Sequence, residues 1–475
     1  MHRYFSQQAS YRFSRRLLIG LCVAALGPAL TCETGIAAPV RQVSNAPVED
    51  FCASGRSGRI LRGDPSNYRR LLPTLTPGDT LVLAPGPYRL LTIAHINGAP
   101  GRCITITGPA TGPRAVIVGQ IGSNTVEIID SSYVVVSNLT IDSRGIPGAD
   151  GIKAPVTPHP ATHHIVLDNN LIVGAGANQQ NDGISTKTPT WNWVIRRNTI
   201  VAAGTAIYLG DSDGGQPFVA GIIENNLVLD PIGYCMEIKF QRARPALAGM
   251  PEGPQSTVIR NNVFIKNDRL SPEGNRPNLL VGGFPDTGPG SQDLYQIYGN
   301  LLVHNPREAL FQGSGRISFH DNILVDGQYA AAAFHDHDLP LRLAHVYNNT
   351  IYSSQIGISV SSPAREGATV LGNLVFASTP ISGVGIVEKD NLVAQPAGAR
   401  QYVGMPATQL EAMDFFPRPG KVSGAPLDLS PFAAELDFDR DFNGISKGNR
   451  TFRGAYAGEG TNPGWRLQAQ IKPEN

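Results

Sequence analysis

Charged residues cluster in the stretch "GYCMEIKFQRARP", residues 233–245, in a chain where only 16% of residues are charged. It contains one carboxylate, Glu237, and three cations, Lys239, Arg242 and Arg244. A lysine beside arginines is a candidate general base, because neighbouring like charges lower the pKa of its ammonium. An arginine can hold a carboxylate through two parallel hydrogen bonds. Together these residue types suit removal of a proton next to a carboxylate, followed by elimination or by return of the proton.

Tyr208 is the next candidate, because it can be aligned beside Lys239. The segments "DGIKA", "DGISTK" and "TAIYLG" precede the charged stretch and also read as short strands. Alternate residues of a strand point to opposite faces, and neighbouring strands lie about 5 Å apart. The residues aligned as inward-facing are Ile152, Ile184, Ile207, Ile238, Leu280, Leu310, Phe334 and Ile358. The alignment then predicts one exposed column: Lys153, Ser185, Tyr208, Lys239, Val281, Phe311, His335 and Ser359.

This column and its two neighbours predict an elongated groove lined by cations and aromatic rings. Such a groove suits an acidic sugar chain, through charge-assisted bonds to carboxylates and stacking on ring faces. The predicted catalytic residues are Lys239 as the base, Tyr208 as acid or base, Arg242 for the substrate carboxylate, and Glu237. The predicted substrate-binding residues are Lys153, Lys187, Arg244, Gln241, Phe311 and His335. Two insertions, residues 242–256 and 266–292, are expected to wall one end of the groove.

A repeated phrase predicts the elements that hold these residues. It appears as "IVLDNNLIV", "IIENNLVLD" and "VIRNNVFIK", with an asparagine before each apolar pair. The asparagines are Asn138, Asn170, Asn198, Asn226, Asn262, Asn300, Asn322, Asn349, Asn373 and Asn391, at spacings of 18 to 38 residues. Strand-like units at such spacings indicate a solenoid in which each repeat is one coil. Asparagine tolerates the left-handed conformation of a tight turn, and its amide can bond to the asparagine of the next coil.

These repeats resemble those of the right-handed parallel β-helix proteins, the pectate-lyase-like superfamily. The segment "LLPTLTPGDTLVLAPGPYRLLTI" looks like the helix and first coil of that family, and "ELDFDRDFNGISKGNRTFRGAYAG" looks like its closing tail. The resemblance implies an all-β fold, a single right-handed parallel β-helix of roughly ten or more coils with an N-terminal cap and an irregular C-terminal tail. The cationic and aromatic column, rather than the resemblance, favours a lyase or epimerase that acts on an acidic, uronate-containing polysaccharide. The same solenoid serves hydrolases and non-catalytic binders, so a binding or scaffolding protein stays open.

A glycoside hydrolase would need two carboxylates on the outer face. The candidates are Asp211, Asp213 and Glu237. Asp150 and Asp182 stand at the same place before "GI" in consecutive coils, so they are interpreted as turn residues. Elimination is therefore preferred to hydrolysis. No cofactor is required, and calcium stays open, with Asp211 and Asp213 in "GDSDGG" as candidate ligands.

Composition limits the partners. A net charge of +1 argues against general affinity for nucleic acid or anionic membranes. The expected partner is therefore an acidic polysaccharide or oligosaccharide.

The N-terminus is typical of an export signal. "SRRLLIG" leads into an apolar run, and small residues near Ala37 would suit cleavage; the paired Arg15 and Arg16 also resemble a twin-arginine signal. Export to the periplasm or the extracellular medium favours a disulfide between Cys52 and Cys103 and leaves Cys235 as a buried thiol. No stable membrane span is expected in the mature chain.

The predicted organisation has four parts. They are the signal over residues 1–37, a cap with the first coils over 38–114, the β-helix over 115–395 and a closing segment over 396–475.

Overall fold

The computed structural model describes residues 51–52, 58–158 and 160–474. The predicted export signal and its arginine pair lie outside these residues. Three parallel sheets of 15, 12 and 11 strands run along the molecule, and successive coils add a strand to each sheet. This arrangement confirms the predicted right-handed parallel β-helix.

The first sheet consists of the strands Ile60–Gly63, Thr80–Leu83, Ile104–Thr107, Ser132–Ser137, Thr162–Asp168, Thr190–Trp191, Val194–Arg196, Phe218–Val219, Ile222–Glu224, Ser256–Arg260, Leu294–Tyr298, Gly315–His320, Leu341–Tyr347, Ala368–Leu371 and Ile386–Lys389. The second consists of Gly86–Arg89, Ala115–Val118, Leu139–Asp142, Leu171–Val173, Thr199–Val201, Leu227–Leu229, Val263–Ile265, Leu301–Val303, Ile323–Val325, Thr350–Tyr352, Leu374–Phe376 and Leu392–Ala394. The third consists of Leu91–Ala94, Val126–Ile129, Ile152–Ala154, Asp182–Thr186, Thr205–Leu209, Met236–Ile238, Leu279–Val281, Phe311–Gly313, Ala330–Phe334, Ile356–Val360 and Thr379–Gly383.

An asparagine ladder joins the coils at the turn between the first and second sheets. In each of eight successive pairs, the Nδ2 of one asparagine donates to the Oδ1 of the next at 2.9–3.1 Å. The ladder runs through Asn170, Asn198, Asn226, Asn262, Asn300, Asn322, Asn349, Asn373 and Asn391. These buried amides are paired rather than left without partners, which makes the turn stable in every coil.

Two details of the asparagine prediction are wrong. The left-handed residue is the one before the ladder position, as at Asn169 and Arg197, with φ of 52° and 54°. Asn138 is itself left-handed, with φ of 56°. The strand registers place Asn138 opposite Asn169 and Leu139 opposite Asn170, and Asn138 Oδ1 accepts a hydrogen bond from Asn169 at 2.7 Å. Asn138 therefore lies beside the ladder rather than in it.

Both ends of the β-helix and its second sheet carry additional segments. A short helix, Tyr68–Leu71, continues into the 3-10 helix Leu72–Thr74 at the N-terminal end. The C-terminal segment contains the 3-10 helices Pro396–Gln401, Leu410–Ala412 and Ser430–Phe432, and an antiparallel pair, Val403–Met405 with Asp414–Pro417. Its aromatic residues pack on the apolar outer face of the second sheet, Phe415 and Phe416 among them. The tail therefore covers the second sheet and not the third.

The cysteines are placed as predicted. A disulfide joins Cys52 to Cys103, which closes a loop of 51 residues before the strand Ile104–Thr107. Cys235 is a free, buried thiol, and burial raises its pKa to about 12. A protonated thiol in an apolar interior is unreactive. Within the described ranges, no helix combines the length and apolarity that a membrane crossing needs.

Candidate active site

A cavity of about 430 Å³ lies on the outer face of the third sheet. Four basic and three acidic side chains line it, together with two tyrosines: Lys153, Lys187, Lys239, Arg276, Asp150, Asp182, Glu237, Tyr208 and Tyr234. Four consecutive strands contribute to it, from Ile152–Ala154 to Met236–Ile238. Because adjacent parallel strands lie about 4.8 Å apart, one column of side chains can contact successive parts of a single ligand.

The strand register sets one column of the cavity. Lys153 pairs with Ser185, Ser185 with Tyr208, and Tyr208 with Glu237. The expected pairing of Tyr208 with Lys239 is therefore wrong, because the strand Met236–Ile238 lies two residues further along than the alignment assumed. Lys239 follows the end of that strand, and its N–H donates to the carbonyl of Leu209. Its side chain still reaches the same cavity.

The two-residue difference arises at the corner where each coil enters the third sheet. Gly151, Gly183, Ala206 and Cys235 come just before the inward-facing strand residues, and each turns into the interior. A Cβ added at Gly183 would lie 2.5 Å from the carbonyl oxygen of Ala206, so little space is available there. This corner explains how Cys235 and Met236 are both fully buried although they are consecutive.

Two of the cavity lysines are paired with carboxylates. Lys153 Nζ lies 2.7 Å from Asp150 Oδ2, and Lys239 Nζ lies 2.9 Å from Glu237 Oε1. Glu237 is almost completely buried, whereas its lysine partner keeps 17% of its side chain exposed. Each of these pairs keeps a positive charge at the cavity wall while satisfying a carboxylate.

The other two cations lie over tyrosine rings. Lys187 Nζ is 3.1 Å from the centroid of the Tyr208 ring, and the guanidinium carbon of Arg276 is 5.5 Å from that of Tyr234. Among the described residues, neither cation has a carboxylate within ion-pair distance. A cation over a ring face is attracted by the ring quadrupole, but the attraction is weaker than that of a charge-assisted bond to a carboxylate.

Burial changes the proton affinity of four cavity residues; in one of them, Tyr234, burial and the Glu237 carboxylate raise the pKa. Burial, reinforced by the Lys153 charge, lowers the pKa of Lys187 below its ordinary 10.5, although Asp182 and Asp211 oppose the shift. Burial and the neighbouring Asp150 carboxylate raise the pKa of Asp182 well above its ordinary range. Burial, reinforced by Glu237, likewise raises the pKa of Tyr208. The cavity therefore holds a lysine that loses its proton more readily than an exposed lysine does, and a tyrosine that keeps its proton more firmly than an exposed tyrosine does.

Five of the predicted site residues lie together in this cavity: Lys153, Lys187, Tyr208, Glu237 and Lys239. Arg242 is exposed and does not line it. Arg244 and Gln241 were expected to face the groove, and the structure contradicts this.

Arg244 is buried and forms an ion pair with Asp293, and it donates to the carbonyls of Pro251 and Gly253. It therefore holds the insertion 242–256 against the β-helix. Gln241 is buried as well, and its Nε2 donates to the Phe218 carbonyl and the Tyr295 hydroxyl at 3.1 and 3.2 Å. Both side chains face inward because the chain turns a corner just after Lys239.

Phe311 was expected to be an exposed platform, and this is wrong. Its strand register places it opposite Leu279, and it is fully buried against Phe319 and Phe334. Val281 also faces inward, whereas Leu280 pairs with Glu237 in the outer column. His335 follows the strand Ala330–Phe334 and is outside the residues that line the cavity.

The side chains of the two candidate calcium ligands, Asp211 and Asp213, form hydrogen bonds within their own turn. Asp211 Oδ1 accepts the N–H of Ser212, and Asp213 Oδ1 accepts the N–H of Gly215, both at 2.7 Å. Among the described residues, no group of three or more acidic, histidine or cysteine ligands could hold a metal ion. Both aspartates thus serve the "GDSDGG" turn.

Four charged or aromatic residues of the cavity were not predicted as site residues from the sequence: Asp150, Asp182, Tyr234 and Arg276. Asp150 and Asp182 do form a coil-to-coil contact, since Asp150 Oδ1 accepts the N–H of Asp182 at 2.9 Å, yet both also line the cavity. Their shared position before "GI" is the signal of a second column, which continues through Thr205 and Tyr234. Arg276 comes from an insertion, and no local pattern marks it.

No protein-family model matches the chain, and no curated protein matches it. Among solved structures, it is similar to an alginate lyase from Paenibacillus sp. str. FPU-7, with 18% identity, 69% of this chain and 99% of that chain covered, and a TM-score of 0.45. It is also similar to a lacto-N-biosidase from Eubacterium ramulus, with 13% identity, 71% and 68% covered, and a TM-score of 0.48. A mannuronan C-5 epimerase A-module from Azotobacter vinelandii gives 17% identity, 74% and 99% covered, and a TM-score of 0.41. Similarity at this level carries no argument about the chemistry of the cavity.

Proposed function

We propose that the protein is an enzyme that acts on an acidic, uronate-containing polysaccharide by removing the proton next to the carboxylate. A lyase would then eliminate the glycosidic oxygen, and an epimerase would return a proton to the same carbon. The single observation that carries the proposal is the pair Lys187 and Tyr208. A lysine of lowered pKa lies against a tyrosine of raised pKa, in a cavity where cations outnumber carboxylates.

In this mechanism the neutral amine of Lys187 takes the proton from the carbon next to the carboxylate. The electron pair of that C–H bond moves into the carboxylate and forms an enolate-like dianion. Lys153 and Lys239 lie at the cavity wall and stabilise this charge as it develops. The pair then returns to form a carbon–carbon double bond, the bond to the glycosidic oxygen breaks, and the Tyr208 hydroxyl donates its proton to the departing oxygen.

This assignment moves the base from Lys239, the residue expected from the sequence, to Lys187. The Nζ of Lys239 lies 2.9 Å from Glu237 Oε1, so it already serves a carboxylate of the protein. Lys187 has no such partner among the described residues, and burial favours its neutral form. For the epimerase, the same first step would be followed by proton return from Tyr208 to the opposite face of the sugar.

A panel of uronate polymers tests the proposal. Purified protein is incubated with each polymer, and ultraviolet absorbance is followed, because elimination creates a double bond conjugated to a carboxylate. Exchange of solvent deuterium into the polymer without a rise in absorbance would identify the epimerase. Binding without absorbance change, exchange or chain cleavage would contradict an enzyme and favour the binding or scaffolding protein.

Hydrolysis of a glycosidic bond is the second candidate, and a specific observation favours it. Asp150 and Asp182 line the cavity from adjacent coils, and the pKa of Asp182 is raised by its burial and by the Asp150 carboxylate. One protonated and one ionised carboxyl group form the pair that glycoside hydrolysis needs. New reducing ends without a rise in absorbance, abolished in Asp182→Asn, would establish this reaction instead.

We also propose that the protein is exported, as residues 1–37 predict. The disulfide between Cys52 and Cys103 supports this, because such bonds persist in oxidising compartments. Cell fractionation, with mass spectrometry of the mature N-terminus, tests it. Full-length protein retained in the cytoplasm with reduced cysteines would contradict export.

A further inference from the structure

The insertion between the strands Val263–Ile265 and Leu279–Val281 folds back over the cavity. We call residues 266–278 the bridging loop. The N–H of Glu273 donates to Gln179 Oε1 at 3.0 Å, and Gln179 Nε2 donates to the Gly274 carbonyl at 3.1 Å. Gln180 Nε2 donates to Glu273 Oε2 at 2.6 Å. These three bonds join segments more than 90 residues apart in sequence and fix the loop along one wall of the cavity.

The bridging loop brings the Arg276 guanidinium into the cavity. Its Nη1 donates to the Asn275 carbonyl at 2.9 Å and its Nη2 to the Glu273 carbonyl at 3.2 Å. A Cβ added at Gly274 would lie 2.8 Å from Nη1, and Gly274 has a φ of 107°, which favours glycine. The loop backbone is therefore shaped to hold this guanidinium over the ring of Tyr234.

Arg276 differs from the other cavity cations in what it is free to bind. Lys153 and Lys239 already hold carboxylates of the protein. Lys187 must be neutral when it acts as a base. The five N–H donors of Arg276 are only partly used, on two backbone carbonyls, and a guanidinium stays charged at all physiological pH values.

We infer that Arg276 binds the substrate carboxylate and makes the cavity specific for uronates over the corresponding neutral sugars. The inference rests on the proposed function, because it assigns the recognition step of that same site. Two parallel N–H···O bonds fix both the charge and the plane of the carboxylate. That orientation places the adjacent C–H bond toward the base and makes Arg276 a specificity-determining residue.

The test uses three variants of the full chain, Arg276→Gln, Arg276→Lys and Arg269→Gln. Arg269 is an exposed arginine of the same loop and serves as the matched control. KM and kcat are measured on a uronate oligosaccharide, and binding of this sugar and of its carboxyl-reduced, neutral form is measured by calorimetry. Circular dichroism and the unfolding temperature confirm that each variant is folded.

Loss of a charge-assisted pair is expected to raise KM for the uronate about 10- to 100-fold in Arg276→Gln. Arg276→Lys should recover part of this loss, and Arg269→Gln should behave as wild type. The preference for the uronate over the neutral sugar should fall by the same factor in Arg276→Gln.

A folded Arg276→Gln protein that keeps wild-type KM and preference would overturn the inference and leave the proposed function intact. Uronate binding that depends on Arg276, with neither cleavage nor exchange, would support the inference and overturn the proposed function. Failure of wild type to bind any uronate would overturn both.

Discussion

Two cavities of this β-helix are lined by charged side chains, and they differ in how those charges are paired. The tail cavity lies between the outer face of the first sheet and the C-terminal segment, with Arg260, Tyr298 and Asp437 in its wall, and measures about 580 Å³. The cavity on the third sheet is smaller, at about 430 Å³. Volume is therefore not the property that sets the cavity on the third sheet apart.

The charged side chains at the tail cavity form ion pairs and hydrogen bonds within the protein. Arg260 pairs with Glu224 at 2.7 Å and contacts the Tyr298 hydroxyl at 3.1 Å. Next to it, the buried Lys447 pairs with Asp321 at 2.7 Å. The bonds of Arg260 join strands within the first sheet, and the Lys447–Asp321 pair attaches the C-terminal segment to the β-helix. Each cation in these bonds has a partner from the protein.

In the site cavity, Lys187 and Arg276 lie over tyrosine rings instead. The pairing of the charged side chains therefore distinguishes the two cavities better than volume or total charge does. In the tail cavity the charged side chains bind one another, whereas in the site cavity Lys187 and Arg276 have no carboxylate partner among the described residues and can contact a ligand.

The largest effect is expected from Lys187→Met. Removal of the base should lower kcat about 1,000-fold, within the range measured for general acid–base groups. Because the base acts as a neutral amine and the pKa of Lys187 is lowered, wild-type activity should rise with pH around a midpoint below 10.5. Steady-state kinetics on the best uronate polymer across pH measure both effects. The control is Lys421→Met, because Lys421 is exposed. A folded Lys187→Met protein with nearly normal kcat would show that Lys187 is not the base.

Tyr208→Phe should lower kcat about 100-fold, because it removes the proton donor. The variant keeps an aromatic ring beneath Lys187, so it separates the hydroxyl from the cation–ring contact. The pKa of Tyr208 is raised, so the wild-type phenol stays protonated and no loss of activity through its ionisation is expected below pH 10. Comparison of kcat and KM checks this, and an unchanged kcat would remove Tyr208 from the mechanism.

Lys472→Met tests the tail region by stability rather than activity. Lys472 is fully buried, and its Nζ lies within hydrogen-bond distance of Asn261 Oδ1 and of the carbonyl oxygens of Gly299 and Phe442. Burial lowers its pKa from 10.5 to about 7. Between these values the unfolded chain binds the proton and the folded chain does not, so wild type should gain stability relative to the variant as pH rises.

The gain should reach at most about 5 kcal/mol, the limit set by a pKa shift from 10.5 to about 7. Denaturant unfolding of both proteins across this pH range measures it. A difference that stays constant with pH would show that Lys472 keeps its proton in the folded state.

The smallest effect is expected from Arg260→Gln. Its guanidinium serves Glu224 and Tyr298, so kcat and KM on the uronate polymer should match wild type. By contrast Arg276→Gln, the equivalent change in the other cavity, should raise KM. Loss of activity in a folded Arg260→Gln protein would show that the larger cavity also takes part in function.

Sequence pattern was sufficient for the repeating part of the molecule. The β-helix and the buried asparagine turn follow from signals that recur in every coil, whereas the disulfide was predicted from the export signal and the number of cysteines. Alternation along one strand also placed Lys153, Tyr208 and Ile207 on the correct faces. These features depend on short-range geometry, which the residue order determines directly.

Only the tertiary structure showed which residues of neighbouring coils lie side by side. The register of the strand Met236–Ile238 places Glu237, rather than Lys239, opposite Tyr208, and the segment that follows Lys239 carries Arg244 into the interior. The register between strands of neighbouring coils depends on the geometry of the corners and loops, so it cannot be predicted from the alternation of residues along a single strand. Arg276 reaches the cavity only because its loop bonds to residues nearly a hundred positions earlier, a contact that no local sequence signal encodes.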